Sequence, residues 1–264
     1  MGGIGAGYAT GLSYWITLAI SIIMTFKITS VKHYRVFVDW VKPSFKSWIE
    51  QLKIGVPIGL SIFFESSIFS VVTLLIGIMF STVMIAANQI VISFTTLIFM
   101  IPLSISMALT IVVSYSVGGG RFQAAKHYSL LGILSGVSIL SLTATCMFLF
   151  RGEIAQLYSS DPEAIALASQ LFLVSILYQL SDSVQAGLQG VLRGFKDVTV
   201  PFFIAFTSYW IIGMPIGYLL ATQMNLGPAG FWYGISIGLT SAAIGFIIRL
   251  RFTYRKEKMK VQLQ

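Results

Sequence analysis

The sequence is poor in charge, cysteine and histidine. Asp, Glu, Lys and Arg make up 10% of the 264 residues, whereas a soluble domain carries roughly a quarter. The single cysteine, Cys146, allows no intrachain disulfide or cysteine metal cluster, and we interpret it as a small buried residue. The two histidines, His33 and His127, lie outside the apolar runs, so no histidine-based hydrolase or zinc site can form within those runs. An enzyme is not expected.

Long apolar runs dominate the chain. Hydrophobic residues are 56% of the total and the mean hydropathy is +0.86. Because a membrane-spanning helix needs about 20 apolar residues, the runs predict an all-α integral membrane protein with about seven transmembrane helices. The predicted spans are 4–26, 52–80, 83–114, 128–150, 165–192, 201–223 and 230–249.

The positive charges are distributed unevenly among the connections. Of the 17 Lys and Arg residues, all except Arg151 lie in the first, third and fifth loops or in the basic tail, 255–264, with Arg249 and Arg251 just before it. The positive-inside rule therefore places the amino terminus outside and the carboxyl tail in the cytoplasm of a bacterial inner (plasma) membrane. Cations that flank membrane spans give no support for nucleic-acid binding.

The first loop, 27–51, mixes basic and aromatic residues such as Tyr34, Trp40 and Trp48. This composition favours a linker lying at the cytoplasmic interface of the bilayer, with its aromatic rings at headgroup depth. Binding of a partner protein is the alternative interpretation.

Two carboxylates lie inside predicted spans. Glu65 is the only charged residue between Lys53 and Arg121, and it lies about 20 Å along its helix, while Asp182 lies about 25 Å along its own. A charge at such depth costs at least about 2.5–3.5 kcal/mol and commonly marks an ion or substrate path. The alternative is a permanently protonated carboxyl that hydrogen-bonds a neighbouring helix. Since no Lys or Arg lies in the interior of a predicted span, a cation or proton is the expected partner.

Polar residues recur along two of the spans at intervals of three and four, which places each set on one helix face. These stripes either hold helices together or line a water-accessible cavity, and the two acids favour a cavity. One stripe is Ser175, Tyr178, Asp182, Gln185 and Gln189, and the other is Gln89, Ser93 and Thr96.

Glycines separated by four residues occur in several spans. We interpret them as sites of close helix packing and not as nucleotide loops, because neither the GxGxxG nor the P-loop spacing is present. They include Gly3/Gly7/Gly11, Gly190/Gly194, Gly213/Gly217 and Gly230/Gly234/Gly238.

Four segments together suggest a family. They are GGIGAGYATGLSYWI (2–16), LKIGVPIGLSIFFESSIFSVV (52–72), AANQIVISFTTLIFMIPLSISMALTIVVSYSVGGG (86–120) and YQLSDSVQAGLQGVLRGFKDVTVPF (178–202). The chain resembles the carboxyl-terminal lobe, plus the last helix of the amino-terminal lobe, of the multidrug and toxic compound extrusion (MATE) family, NorM branch. The intramembrane Glu, the intramembrane Asp and the LRGxxD loop (192–197) follow in the family's order.

The resemblance implies a twelve-helix, V-shaped transporter of which this chain is about half. It implies four parts: 1–26 as the last helix of the amino-terminal lobe, 27–51 as the linker, 52–254 as the six-helix carboxyl-terminal lobe, and 255–264 as a cytoplasmic tail. Glu65 and Asp182 would form the coupling-cation site, binding Na⁺ or H⁺, and no cofactor is implied. The expected substrate cavity comprises Gln89, Phe99, Tyr178, Gln185 and Gln189.

Three functions remain open at this point. The first is a cation-coupled multidrug efflux antiporter for lipophilic organic cations, whose partners are the bilayer and, where the two lobes are separate chains, an amino-terminal lobe. The second is a lipid-linked oligosaccharide flippase of the same superfamily. Its pyrophosphate would require Arg or Lys in the cavity, and none lies in the interior of a predicted span. The third is an inactive half-transporter subunit.

The charge distribution makes the orientation testable. In a Cys146→Ser background, an impermeant maleimide added to intact cells should label the product of Ser160→Cys, which lies in an external loop. It should fail to label the product of Gln262→Cys in the cytoplasmic tail. Labelling at position 262 in intact cells would contradict the predicted orientation.

Overall fold

The computed structural model describes residues 2–27 and 44–262, and its regular structure is helical. Seven of the described helical segments are long and apolar enough to cross a membrane, as the sequence predicts. The helices are α1 (Gly2–Lys27), α2 (Phe45–Met79), α3 (Thr82–Gly118), α4 (Phe122–Gln156), α5 (Pro162–Gly194), α6 (Thr199–Phe206), a π-helical segment (Thr207–Gly213), α7 (Met214–Thr222) and α8 (Pro228–Gln262).

The helices extend further than the predicted spans. Helix α2 begins at Phe45, so the last part of the predicted linker 27–51 is helical, while 28–43 lie outside the described residues. Asp161 is the N-cap residue of helix α5, and its carboxylate accepts a hydrogen bond from the Glu163 backbone N–H at 3.0 Å. The helix continues to Gly194, beyond the predicted end at residue 192. Hydropathy therefore underestimates the length of these helices, because helical hydrogen bonding continues past the apolar run.

The predicted span 201–223 is one membrane crossing in three parts. Helix α6 passes into the π-helical segment, and α7 follows with Pro215 in its first turn. Proline has no N–H to donate and its ring crowds the preceding turn. A locally wider helix in front of Pro215 accommodates that crowding.

The chain divides into two units, one up to residue 50 and one from residue 51. In the first unit, the described side chains of α1 are mostly apolar and exposed, as expected of a surface that faces lipid or other protein. In the second unit α5 is the central helix and packs against α3, α4 and α8. The largest fully buried side chains there include Trp232, Phe172 and Phe231.

The single cysteine does not lie in this core. Cys146 on α4 is exposed, so its interpretation as a small buried residue is wrong. An apolar neighbourhood in the sequence does not separate core from surface here, because lipid tails are as apolar as a protein interior.

Glycines let two pairs of helices approach closely. A methyl group on Gly234 of α8 would collide with the backbone of Gly217 on α7, and one on Gly190 of α5 would collide with the backbone of Ser106 on α3. Across the latter contact, the Thr110 hydroxyl donates to the carbonyl of Gly190 at 3.0 Å. The packing interpretation of these glycines is confirmed. At Gly7 and Gly11, by contrast, no described atom lies within 4 Å of an added methyl group.

Helix α2 is held by aromatic side chains. The Phe64 ring lies 4.8 Å from that of Phe206 on α6, and the Phe69 ring lies 5.7 Å from that of Tyr178 on α5. The indole N–H of Trp210 in the π-helical segment donates to the carbonyl of Phe64 at 3.2 Å. These long side chains bridge α2 to its neighbours without close backbone contact, which leaves room for a cavity beside α2.

The LRGxxD loop joins the end of α5 to α8. Asp197 accepts hydrogen bonds from Nε of Arg249 at 2.6 Å, from its second guanidinium nitrogen at 3.1 Å, and from the Thr253 hydroxyl at 2.8 Å. Lys196 adopts a positive φ of 58° in the turn that places Asp197 there. The motif's aspartate thus ties two helix ends together.

The close helix packing yields a prediction. Gly234→Ala should destabilise the chain by about 3 kcal/mol, because the added methyl meets backbone that cannot move aside. The matched control is Gly59→Ala on α2, where the methyl meets nothing within 4 Å, and it should change stability by less than about 1 kcal/mol. Thermal unfolding in detergent measures both, and similar melting temperatures for the two variants would contradict the packing assignment.

Candidate functional site

A cavity of about 470 Å³ lies between α2, α3 and α5. Its volume is within the range of small-molecule sites, which are commonly apolar with a few convergent polar groups. Among its lining residues one is acidic, Glu65, and one is basic, Arg193. The lining comprises Ile62, Glu65, Ser66, Phe69, Ile92, Thr95, Thr96, Phe99, Met100, Leu103, Ser106, Met107, Tyr178, Ala186, Gln189 and Arg193.

Glu65 is half-buried in the cavity wall. The preceding residue, Phe64, is fixed through its carbonyl by the Trp210 indole, and this bond holds the turn of α2 that carries the carboxylate. None of the hydrogen bonds or ion pairs formed among the described residues reaches the Glu65 carboxylate. The carboxylate is thus available to a ligand in the cavity.

Asp182 lies behind the cavity wall on α5. Its side chain is 3% exposed, and the residue one turn earlier, Tyr178, lines the cavity. Tyr178 also stacks edge-on against Trp232 at 5.5 Å, so its position is fixed by aromatic packing. The two carboxylates predicted from the sequence are therefore on neighbouring helices, with one open to the cavity and the other buried next to it.

Several buried polar atoms near Asp182 have no partner among the described residues. They are both amide atoms of Gln185 and the hydroxyl of Tyr209, which lies close to Gln185; the Ser183 hydroxyl also has no partner, but it lies against Gly136 on α4. A buried polar atom without a hydrogen bond is costly, and oxygen atoms are the ligands that hard cations prefer. The donor set therefore fits a small cation, although no cluster of three or more His, Cys, Asp or Glu exists in the described chain.

Tyr209 was not expected from the sequence. It lies in the π-helical segment, which turns its side chain inward to 3% exposure. The signal available in the sequence is Pro215 six residues later, which marks a local irregularity of the helix but not which side chains it redirects.

The predicted cavity residues fall into three groups. Phe99, Tyr178 and Gln189 line the cavity with Glu65. Gln185 is fully buried beside Asp182. Gln89 is exposed on α3 outside this cavity, where its amide lies 3.5 Å from the Ser93 hydroxyl. Of the α3 stripe only Thr96 lines the cavity, so a role for Gln89 in the substrate path stays a prediction.

Arg193 is a cavity residue that the sequence places in a loop. Because α5 extends to Gly194, Arg193 lies in its last turn, and helical side chains point back towards the helix amino terminus. Its guanidinium donates to the Gln189 side-chain oxygen at 2.9 Å. The expectation that no Arg or Lys reaches the cavity is therefore wrong.

These features define a class of protein: a multi-pass bundle of apolar helices around an internal cavity that carries charge, as in membrane transporters. The MatE family model matches residues 57–219, and the chain belongs to this family.

Relatives named "Probable multidrug resistance protein NorM" match nearly the whole chain. The Oceanobacillus iheyensis protein is 48% identical over 97% of this chain, and the Bacillus subtilis protein is 44% identical over 98%. The chain spans 57% of the length of each of these relatives. The resemblance to the NorM branch is confirmed.

Solved structures show the same fold. A eukaryotic MATE transporter superimposes with a TM-score of 0.87 at 23% identity, covering 99% of this chain and 59% of that one. An outward-facing MATE family transporter superimposes with a TM-score of 0.83 at 19% identity, covering 97% of this chain and 57% of that one. The all-α membrane fold is confirmed.

The boundary of the cavity on α3 is testable by cysteine labelling. Thr96→Cys and Gln89→Cys, in a Cys146→Ser background, both place an exposed thiol on the same helix, but only position 96 lines the cavity. Tetraphenylphosphonium should slow modification by a methanethiosulfonate reagent about tenfold or more at position 96 and leave position 89 unchanged. Equal protection at both positions would extend the binding cavity to Gln89.

Proposed function

We propose that the chain forms part of a cation-coupled efflux antiporter that exports lipophilic organic cations across a bacterial plasma membrane, with its carboxyl tail in the cytoplasm. Glu65 and Asp182 are the coupling-cation site in this proposal, and the cavity that Glu65 lines receives the substrate. The names of the relatives, multidrug resistance proteins, support export of drugs.

One observation carries the proposal: Glu65 opens into a mostly apolar cavity with no described residue bonded to its carboxylate. An isolated ionised carboxylate at low dielectric is strongly unfavourable, so the site favours binding of a positive charge. Phe69, Phe99 and Tyr178 supply aromatic rings around that position, and such rings attract flat or quaternary cations through cation–π contacts.

Exchange follows from competition for the same negative charge. A small cation bound by Glu65 and Asp182 neutralises the carboxylate that an organic cation requires, so the two ligands exclude each other. Alternating access then requires that each ligand bind one arrangement of the complete transporter more tightly than the other. This chain supplies the competitive site, and an amino-terminal lobe, in the same or a separate chain, supplies the other wall.

The coupling ion in the proposal is Na⁺, with H⁺ as the alternative. The unpartnered oxygens of Gln185 and Tyr209 favour Na⁺, because a metal cation needs several oxygen ligands whereas a proton needs one. A Na⁺ gradient and a H⁺ gradient, applied separately to vesicles, distinguish the two.

The flippase alternative is weaker, although Arg193 does reach the cavity. A pyrophosphate carries multiple negative charges and requires several cationic donors. The cavity offers one guanidinium, already bonded to Gln189, and also contains a carboxylate, Glu65. These charges repel an anionic headgroup at least as much as they attract it.

The coupling site is testable with isosteric amides. Glu65→Gln and Asp182→Asn keep the size and hydrogen bonding of each side chain but remove its charge, and burying an amide costs less than burying a charge. We expect each variant to fold and insert, yet to lose Na⁺-driven efflux by at least about tenfold, the factor for 1.4 kcal/mol of lost cation binding. Uptake of a fluorescent organic cation into inverted vesicles, in which export runs inward, measures this when the chain is co-expressed with the amino-terminal lobe of the Oceanobacillus relative.

The matched control is Glu153→Gln, which removes an acid near the end of α4, away from the cavity. This variant should transport normally. Normal gradient-driven efflux by the double variant Glu65→Gln, Asp182→Asn would refute the proposed coupling site and support permanently protonated, structural carboxyls.

A further inference from the structure

Arg193 brings a permanent positive charge to the cavity. A guanidinium is not deprotonated in proteins, so unlike Glu65 it cannot become neutral when the cavity is dry. It is half-buried at the end of α5. Its bond to Gln189 is an interaction with a neutral amide, which orients the guanidinium but does not compensate its charge.

A second acid near Arg193, Asp197, is already paired with another residue. Asp197 shares a small pocket with Arg193 and Ser61, but both of its carboxylate oxygens accept hydrogen bonds from Arg249. The Thr253 hydroxyl donates to the same carboxylate. Among the described residues, no carboxylate forms an ion pair with Arg193. In the larger cavity that Arg193 lines, the one acid is Glu65.

The two charges lie within reach of one another. Arg193 borders the small pocket next to Ser61, and Ser61 precedes Glu65 by one turn of α2, about 6 Å along the helix axis. An arginine side chain is long and flexible enough to cover such a distance. In a partly apolar site, opposite charges that come close to each other interact much more strongly than in water.

We propose that Arg193 is a tethered counter-cation of Glu65, which compensates this carboxylate when no ligand is bound and competes with cations that enter the cavity. This proposal rests on Glu65 being the cation-binding group. A tethered competitor lowers the affinity for the coupling ion and for the substrate alike. It thereby prevents either ligand from being held too tightly to leave, which exchange requires. Arg193 is thus a positioning and affinity-setting residue.

A plain structural role is the competing explanation. A cation in the last turn of a helix interacts favourably with the helix dipole, so Arg193 could stabilise α5 without reference to Glu65. The two explanations differ in one respect: a counter-cation loses its effect when Glu65 is neutral, whereas stabilisation of the helix end does not depend on Glu65.

A double-mutant cycle in thermal unfolding separates them. The purified 264-residue chain is melted in detergent as wild type, Arg193→Gln, Glu65→Gln and the double variant. Arg193→Gln should lower the melting temperature by roughly 2–4 °C when Glu65 is present, because it leaves the carboxylate uncompensated. In the Glu65→Gln background the same change should have almost no effect. Equal shifts in the two backgrounds would overturn the proposal.

Binding of tetraphenylphosphonium to the same purified proteins supplies the second measurement. Arg193→Gln should tighten binding roughly tenfold by removing the competitor, and Arg193→Lys, which keeps the charge, should stay within about twofold of wild type. The matched control Lys196→Gln removes an exposed cation three residues further on, outside the cavity, and should also stay within about twofold. Unchanged or weaker binding by Arg193→Gln would overturn the proposal.

The two measurements also separate this proposal from the proposed function. If tetraphenylphosphonium binds wild type and Glu65→Gln equally well, the proposed function is refuted. The melting cycle would still decide whether Arg193 compensates Glu65. Conversely, binding could depend on Glu65 while the melting cycle shows no coupling between Arg193 and Glu65. That result would leave the proposed function intact and refute the role of Arg193 as a counter-cation.

Discussion

The cost of an ionised carboxylate in an apolar environment is the constraint on which the structure depends. Glu65 and Asp182 lie on neighbouring helices inside a protein whose surroundings are hydrocarbon. Such charges persist only where other groups or ligands compensate them. The chain provides a cavity at one carboxylate and unpartnered polar atoms at the other, and in the proposed mechanism a bound cation supplies part of the compensation.

Two kinds of packing create this arrangement. Glycines let α5 approach α3, and let α8 approach α7, to backbone contact, which makes one rigid wall. Helix α2 is instead attached through rings, Phe64 to Phe206 and Phe69 to Tyr178. Rings span more distance than a glycine contact, so space remains between α2 and its neighbours. The same helix that leaves this space carries Glu65 into it.

The sequence predicts the spans and the stripe on α5 because both follow from one-dimensional rules of hydropathy and helical period. It fails where three-dimensional information decides. Gln89 and Thr96 share a helix face, but α3 is 37 residues long and only part of it borders the cavity. Arg193 follows an apolar run, so the sequence predicts a loop residue. The helix nevertheless continues to Gly194, and the Arg193 side chain reaches back along it to the cavity. Tyr209 is turned inward by a π-helical segment. Cys146 lies on a surface that is as apolar as the core, so its apolar neighbours in the sequence do not reveal that it is exposed.

In the proposed mechanism, the charge balance favours one monovalent cation at this site. With Glu65 and Asp182 ionised and Arg193 charged, the groups around the cavity carry a net charge of about −1, since Asp197 is balanced by Arg249. A Na⁺ ion, a proton or a singly charged organic cation each restores neutrality, and a second cation would leave an uncompensated positive charge at low dielectric. Without Arg193, charge alone would allow two monovalent cations at once, and competition for Glu65 would be the only basis of their exclusion. The proposed counter-cation at the end of α5 thereby strengthens the competition between the ligands as well as setting how tightly each one binds.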